Sequence, residues 1–217
     1  SDAADDPWWP YLEAYDDAGS FSLQVALDGT QNWPLAKTQL TSLTVLDPSF
    51  YPDKPLPHKE RPFKIGFAGG IGIERKTKLN SLNEVKIYSR TAEKDSYQKF
   101  VDHLSRCRMM VNFPATGSGR HMHVKGRIIE CGLAGTLVLE EFGSPTSDWF
   151  TPGTDYIEYK TMNDVKSIVD YYESRPEESQ KISDSLRSNI IKNHSPKMFW
   201  DRILQRIKPD ACTDNRT

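Results

Sequence analysis

Short apolar runs recur along the chain from Phe63 onwards, and longer segments with apolar residues at helical spacing separate them. Continuous apolar runs of this length are typical of strands buried on both faces, as in parallel sheets. The runs that predict strands are FKIGFAG (63–69), VKIYS (85–89), MMVNF (109–113), TLVLE (136–140) and DYIEY (155–159).

The segments between these runs carry helix signals. Phe100 and Leu104 belong to one apolar face of a predicted helix over 96–107. Gly135 stands where a glycine commonly follows the end of a helix, and Pro176 stands at a first helical position. Helices are predicted from about residue 74, over 96–107, before Gly135, and over 161–175, 176–194 and 195–207, the last packing through Phe199, Ile203 and Leu204. This alternation predicts an α/β fold with a doubly wound, mostly parallel sheet and C-terminal helices.

The N-terminal part has a different pattern. FSLQVAL (21–27) and LTSLTVLD (40–47) predict two further strands, and residues 48–62 contain five prolines and several charges, which predicts an extended linker. We therefore divide the chain into an N-terminal segment (1–60), a main domain (61–207) and a polar tail (208–217).

Composition narrows the classes of function. A hydrophobic fraction of 37% supports a real core, and a net charge of −2 argues against a general nucleic-acid-binding surface. Three widely spaced cysteines do not form a disulfide framework, which favours a reducing, cytoplasmic setting. The sequence has no apolar run long enough to predict a membrane span, and His121 and His123 have no further Cys or His at zinc-ligand spacing.

Cationic residues and glycines crowd the connection between MMVNF and TLVLE. They are Gly117, Gly119, Arg120, His121, His123, Lys125 and Arg127. The start of a helix has free N–H groups and a positive dipole end, and ligands of open α/β sheets bind at the carboxyl ends of strands. The alternative is a solvated basic connection with an exposed Glu130. The combination favours a site for a phosphate-bearing ligand, with Glu130 one helical turn further on.

A glycine-rich turn follows the first strand of the main domain. It contains Gly69, Gly70 and Gly72, and Arg75 and Lys76 come directly after it, in the first turn of a predicted helix. Cations at a helix start oppose the dipole preference for acids, which indicates another use for them. Binding of an anion and simple surface exposure both stay open.

In this order and spacing, the motifs resemble those of the C-terminal half of GT-B glycosyltransferases, with group 1, CgeB-like enzymes the nearest type. The likeness covers about residues 45–207. The matching positions are Arg75, then Tyr97, Leu104, Cys107 and Val111-Asn112-Phe113, then Arg127, Glu130 and Gly135, then Phe150, Gly153 and Asp155.

The resemblance implies a Rossmann-like domain that binds the nucleotide-diphosphate sugar, such as a UDP- or GDP-sugar, of a hexosyltransferase. The donor and its phosphates would be held by Gly70, Arg75, Lys76, Gly119, Arg120, His123, Lys125 and Arg127, and the ribose by Glu130. No metal or cofactor is expected, and no catalytic residue is assigned. Residues 1–60 would be a remnant or reduced form of the acceptor-side domain, with the acceptor a glycan, lipid or protein. A homodimer or a separate N-terminal domain would complete the enzyme.

Two other hypotheses stay open. Many enzymes of this group carry a second acid eight positions before the helix Glu, and here that position is Met122. This difference and the short N-terminal part favour a non-catalytic nucleotide- or sugar-binding module of a larger assembly. The third hypothesis is an unrelated α/β enzyme in which Lys125 and Arg127 bind the monophosphate of a small molecule.

Overall fold

The computed structural model describes residues 11, 14–15, 17–19, 23–27, 29, 39–89, 96–115 and 121–207. The strands are β1 (Gln24–Ala26), β2 (Gln39–Thr41), β3 (Phe63–Ala68), β4 (Lys86–Tyr88), β5 (Cys107–Val111), β6 (Leu137–Glu141) and β7 (Ile157–Tyr159). The α-helices are α1 (Ile73–Asn80), α2 (Tyr97–Arg106), α3 (Gly126–Leu133), α4 (Met162–Glu173), α5 (Pro176–Asn193) and α6 (Pro196–Ile207). Short 3-10 helices lie at Pro48–Phe50, His58–Glu60 and Pro145–Asp148.

The central sheet of the described part has five strands in the order β4-β3-β5-β6-β7, all parallel. Ile65 lies opposite Met109, and Met109 lies opposite Leu137. Because β4 and β5 lie on opposite sides of β3, the strand order reverses at β3. In open α/β sheets the ligand-binding crevice lies at such a reversal, which here is at the carboxyl ends of β3 and β5. The predicted doubly wound α/β fold is confirmed.

Apolar side chains of the sheet pack into two hydrophobic cores, one on each face of the sheet. In β5, Met109 and Val111 belong to the core covered by α1 and α4, whereas Met110 belongs to the core covered by α2, α3 and α5. In β6, Leu137 and Val138 divide in the same way. Burial on both faces explains why these strands have continuous apolar runs in the sequence.

The C-terminal helices begin as their sequence signals predict. Thr161 caps α4 by accepting a hydrogen bond from the Asp164 N–H, and the Asp164 carboxylate accepts one from the Thr161 N–H. Pro176 is the first residue of α5. The packing face expected for α6 is wrong at Leu204, which is 49% exposed, while Phe199 and Ile203 are half-buried.

The proline-rich stretch is packed against the domain, so the predicted extended linker is wrong for residues 51–61, here called the anchor segment. Tyr51, His58 and Arg61 are buried. The Tyr51 hydroxyl lies 2.6 Å from that of Tyr97, and Arg187 Nη2 donates to Pro52 O at 2.9 Å. Upstream, β1 and β2 form a separate parallel pair, and the predicted strand over 40–47 keeps ladder pairing only as far as Thr41.

Candidate functional site

The start of α3, here called the site helix, lies at the carboxyl edge of the sheet. Lys125 is its N-cap residue, with an extended backbone and no side-chain capping bond, and its first turn contains no acid. A Cβ on Gly126 would lie only 3.3 Å from Thr44 Oγ1, so the helix start fits closely against the segment after β2. This end therefore combines a positive dipole with cationic side chains.

The basic connection before the site helix is closed at its base. Ala115 and Met122 form an antiparallel bridge, and the His123 N–H donates to Pro114 O at 3.2 Å. His123 and Lys125 are half-buried just beyond this bridge. Gly117, Gly119 and Arg120 lie outside the described residues.

Arg127 and Glu130 form an ion pair on the site helix, with side chains only 12% and 11% exposed. The Arg127 guanidinium carbon lies 4.9 Å from the centre of the Phe100 ring, which supports it from α2. On the side of β3, a Cβ on Gly69 would lie 3.8 Å from Arg127 Nη2. The expected exposure of Glu130 in the solvated alternative is therefore wrong, since Glu130 is 8% exposed and paired. Residues 116–120 of the basic connection itself lie outside the described residues.

Arg75 joins the two loops that meet at the crevice. Its Nη1 donates to Gly70 O at 3.3 Å and its Nη2 donates to Ala115 O at 3.1 Å. Arg75 is half-buried, whereas Lys76 and Gly70 are exposed, and nothing lies within 4 Å of a Cβ built on Gly70. The structure thus brings together the glycine-rich turn, the end of β5 and Arg127 at one edge of the sheet.

Sequence reasoning missed a buried acid beside this crevice. Glu140 of β6 is fully buried, and its Oε2 accepts a hydrogen bond from Asn112 Nδ2 at 2.6 Å. Burial raises the pKa of Glu140 to about 7, against the lowering effect of hydrogen bonds from Asn112, Ser144 and Thr146. The signal that could have identified Glu140 is its position at the end of the apolar run TLVLE, which predicts a buried strand.

Two absences concern the described ranges only. Among them, no helix is long and apolar enough to cross a membrane. Within the same residues, no three His, Cys, Asp or Glu side chains are grouped so as to hold a metal ion.

Solved structures with a similar fold share little sequence with this chain. HepE from Anabaena, crystallised with UDP and glucose, superposes with a TM-score of 0.62 at 13% identity, covering 90% of this chain and 66% of HepE. A TarM variant from S. aureus, crystallised with UDP and other ligands, gives 0.63 at 13% identity, covering 96% of this chain and 48% of TarM. The chain thus spans about two thirds of HepE and about half of TarM. These neighbours confirm the Rossmann-like GT-B fold.

The C-terminal domain of LpcC, a group 1 glycosyl transferase from Francisella tularensis, also superposes. Its TM-score is 0.50 at 12% identity, and the alignment covers 70% of this chain and 99% of the LpcC domain. The chain therefore contains the equivalent of nearly the whole of that C-terminal domain.

Sequence comparison gives one significant result. Curated protein sequences include no significant match. A profile of the family described as glycosyl transferase-like matches residues 74–205, which is more than half of the chain and includes the site helix, Arg75 and Asn112. The CgeB-like subgroup stays a prediction. The chain belongs to the glycosyl transferase-like family.

Proposed function

We propose that this chain is the donor-binding part of a glycosyltransferase that transfers a sugar, of the hexose type, from a nucleotide-diphosphate sugar to an acceptor. The observation that carries the proposal is the meeting of Arg75, Arg127 and the uncapped start of the site helix at the point where the strand order reverses. Fixed cations there stabilise the charge that a nucleoside diphosphate gains as the glycosidic bond breaks.

Each site residue has a proposed role. Arg75, Arg127 and the N–H groups at the start of the site helix bind the diphosphate, joined by Lys76, His123 and Lys125 at the rim. Gly70 lets the phosphates approach the backbone, and Gly119 and Arg120 belong to the same loop outside the described residues. With these cations the diphosphate needs no metal or other cofactor.

Glu130 is proposed to bind the ribose. Its Oε2 accepts a hydrogen bond from Arg127 Nη1, which leaves Oε1 to accept from a ribose hydroxyl. One turn separates it from the diphosphate-binding helix start, and the pairing with Arg127 orients the carboxylate in a largely buried position.

The acceptor side lies elsewhere. We propose that residues 1–60 correspond to a remnant or reduced part of the acceptor-side domain, of which residues 51–60 pack against the donor-binding domain, because the chain covers 66% of HepE and 48% of TarM. A glycan, lipid or protein acceptor would then be bound with the help of further chain or of a second copy in a homodimer. We further propose a cytoplasmic location.

The non-catalytic alternative keeps one observation in its favour. Met122, where many group 1 enzymes have an acid, is 38% exposed beside the basic loop and offers no carboxylate to a sugar. Turnover of a nucleotide sugar by the chain, or by the chain with its acceptor-side partner, excludes the alternative. Tighter binding of nucleoside diphosphates than of sugar phosphates excludes an enzyme of simple phosphorylated metabolites.

Calorimetric titration with UDP, GDP, ADP and dTDP tests the proposal, with UDP first because HepE was crystallised with it. We expect one nucleotide to bind in the micromolar range, about −8 kcal/mol. Arg127→Ala and Glu130→Ala should each remove roughly 1.5–3 kcal/mol, the value of a hydrogen bond to a charged group.

The chain provides a matched control pair. Arg175 and Glu178 are also an Arg–Glu pair at i,i+3, with the guanidinium carbon 4.0 Å from the centre of the Tyr171 ring. Their side chains, however, are 45% and 55% exposed and lie at the start of α5. Arg175→Ala and Glu178→Ala should leave affinity unchanged. Failure of all four nucleotides to bind, or equal losses in both pairs, contradicts the proposed site.

A further inference from the structure

Glu140 joins three elements at the carboxyl edge of the sheet. Its Oε2 accepts the 2.6 Å hydrogen bond from Asn112, and Thr146 Oγ1 donates to its Oε1 at 3.4 Å. Thr146 belongs to the 3-10 helix Pro145–Asp148. The carboxylate therefore connects the end of β6 with the end of β5 and with the loop that follows β6.

Asn112 is the first residue beyond β5, and its backbone is held as firmly as its side chain. Its N–H donates to Leu139 O at 2.8 Å, and its carbonyl accepts from the Tyr159 hydroxyl at 2.6 Å. Three residues further on, Ala115 supplies the carbonyl that accepts from Arg75 Nη2 and pairs with Met122. Asn112 therefore stands between Glu140 and the segment that contacts Arg75.

We infer that Glu140 is a positioning residue: its carboxylate holds the Asn112 amide, and thereby residues 112–115, in the arrangement that orients Arg75 towards the phosphates. The inference rests on the proposed function. When the proton lies on Oε2, that oxygen donates an O–H and no longer accepts from the amide nitrogen, so the Asn112 amide turns its oxygen towards Glu140. Protonation of Glu140 at Oε2 thus corresponds to a second arrangement of Asn112.

The surroundings of Glu140 bring the protonation of its carboxyl group close to neutral pH. Burial raises the pKa of Glu140 to about 7, and the charge of Glu141 acts in the same direction. The groups that bear on the carboxylate are Asn112 from β5, Ser144 and Thr146 from the following loop, Glu141 from its own strand, Cys131 from the site helix, and Tyr156 and Tyr159 from β7 and its approach. Burial also raises the pKa of Cys131, Tyr156 and Tyr159, so these three stay neutral while Glu140 titrates.

A ligand-free experiment tests the coupling by itself. In the full chain labelled with ¹³C and ¹⁵N, we expect the Arg75 Nε–H and Ala115 amide resonances to follow the titration of the Glu140 carboxyl carbon between pH 5.5 and 8.5. Glu140→Gln keeps the volume and should abolish that movement, whereas Glu141→Gln on the same strand should leave it. Resonances that do not move with Glu140 in the wild-type chain overturn the inference, even where the Glu140→Gln variant is unstable.

Nucleotide affinity provides the second readout. UDP should bind wild-type protein at least about five-fold more tightly at pH 8 than at pH 6, relative to the same ratio for Glu140→Gln, which is the lower end of typical coupling between sites. The ratio to the variant is needed because a terminal phosphate itself protonates at about pH 6. Equal ratios in the two proteins overturn the inference.

The two proposals fail in different ways. If UDP does not bind but the Arg75 resonance follows Glu140, the donor-site proposal fails and the coupling stands. If UDP binds through Arg127 and Glu130 but the Arg75 resonance ignores Glu140, the donor site stands and the positioning role is wrong.

Discussion

The two ends of the site helix are built in opposite ways. At the C-terminal end, Gly135 has φ 67°, and the Thr136 N–H donates back to Cys131 O at 2.9 Å, so the chain closes the helix with its own backbone. Arg61 Nη2 then donates to Ala134 O at 3.0 Å, and His58 Nε2 lies 2.9 Å from Gly135 O. At the N-terminal end, the Lys125 side chain makes no capping hydrogen bond, and the first turn contains no acid that would compensate the positive end of the helix dipole.

Within one helix of eight residues, the C-terminal end therefore contributes to stability and the N-terminal end, as proposed, to ligand binding. The carboxyl end is filled by buried protein groups of the anchor segment, so its role is to hold the helix in place. The amino end keeps the groups that favour an anion, at a cost in helix stability that a Ser or Asp cap would remove. The following predictions test this division.

Arg61→Ala should have the largest effect. The buried guanidinium donates to Leu56 O, Cys107 O, Thr136 Oγ1 and Ala134 O, and the variant leaves these acceptors buried without it. We expect a loss of more than about 3 kcal/mol in the free energy of unfolding, measured by urea denaturation. The exposed Arg175→Ala should stay within about 0.5 kcal/mol of wild type, and a similarly small change for Arg61→Ala would contradict the assigned role.

His58 should make the same end sensitive to acid. Burial, followed by the charge of Arg61, lowers the pKa of His58 to about 4, so the folded state keeps it neutral while the unfolded chain protonates near 6.5. Its contribution is complete above pH 6.5, and stability falls by about 3 kcal/mol as the pH drops from 6.5 to 4.

His58→Gln removes the titrating imidazole and replaces it by an amide that still offers a hydrogen-bond donor and an acceptor. Its unfolding free energy should fall less steeply over the same pH window. The pKa values of His103 and His194 are also lowered to about 4, by burial, and Glu140 acts with the opposite sign, but all three are present in both proteins and cancel in the comparison. Identical slopes for variant and wild type would show that His58 does not titrate as expected.

Lys125→Ser should have the smallest effect on stability and the opposite sign. The backbone at this position already has the extended conformation of an N-cap, so a serine hydroxyl can accept a first-turn N–H and add about 0.5–1 kcal/mol to the free energy of unfolding. Removing the cation should weaken UDP binding by roughly ten-fold. Thermal unfolding and calorimetry on one preparation measure both, and a variant that loses stability while keeping affinity contradicts the comparison.

The sequence predicted what depends on local pattern. Continuous apolar runs located the five strands of the sheet, and Gly135 marked the end of the site helix. The prediction that Glu130 lies one turn into this helix is confirmed, whereas its pairing with Arg127 was not predicted. The roles of the site residues stay predictions. The prediction that Leu204 packs against the domain was wrong, because helical periodicity identifies the apolar face of a helix but not whether another element covers that face.

Contacts between distant segments were beyond such patterns. Prolines in 48–62 indicate irregular structure. Arg61 is buried because it donates to the carbonyl oxygens of Cys107 and Ala134, and these residues, 46 and 73 positions further along the chain, are not part of any local pattern. The pairing of Glu140 with Asn112 across 28 residues depends in the same way on strand order, which one sequence does not specify.

The anchor segment also belongs to the folding unit of the main domain, together with Leu43 upstream of it, which is buried in the same core as Tyr51. A fragment cut at Phe63, where the sheet begins, would keep every strand and helix of the main domain but lose His58, Arg61 and Tyr51. The natural unit of folding therefore starts upstream of the unit of regular secondary structure. Any dissection or domain exchange in this chain should place its junction before Leu43.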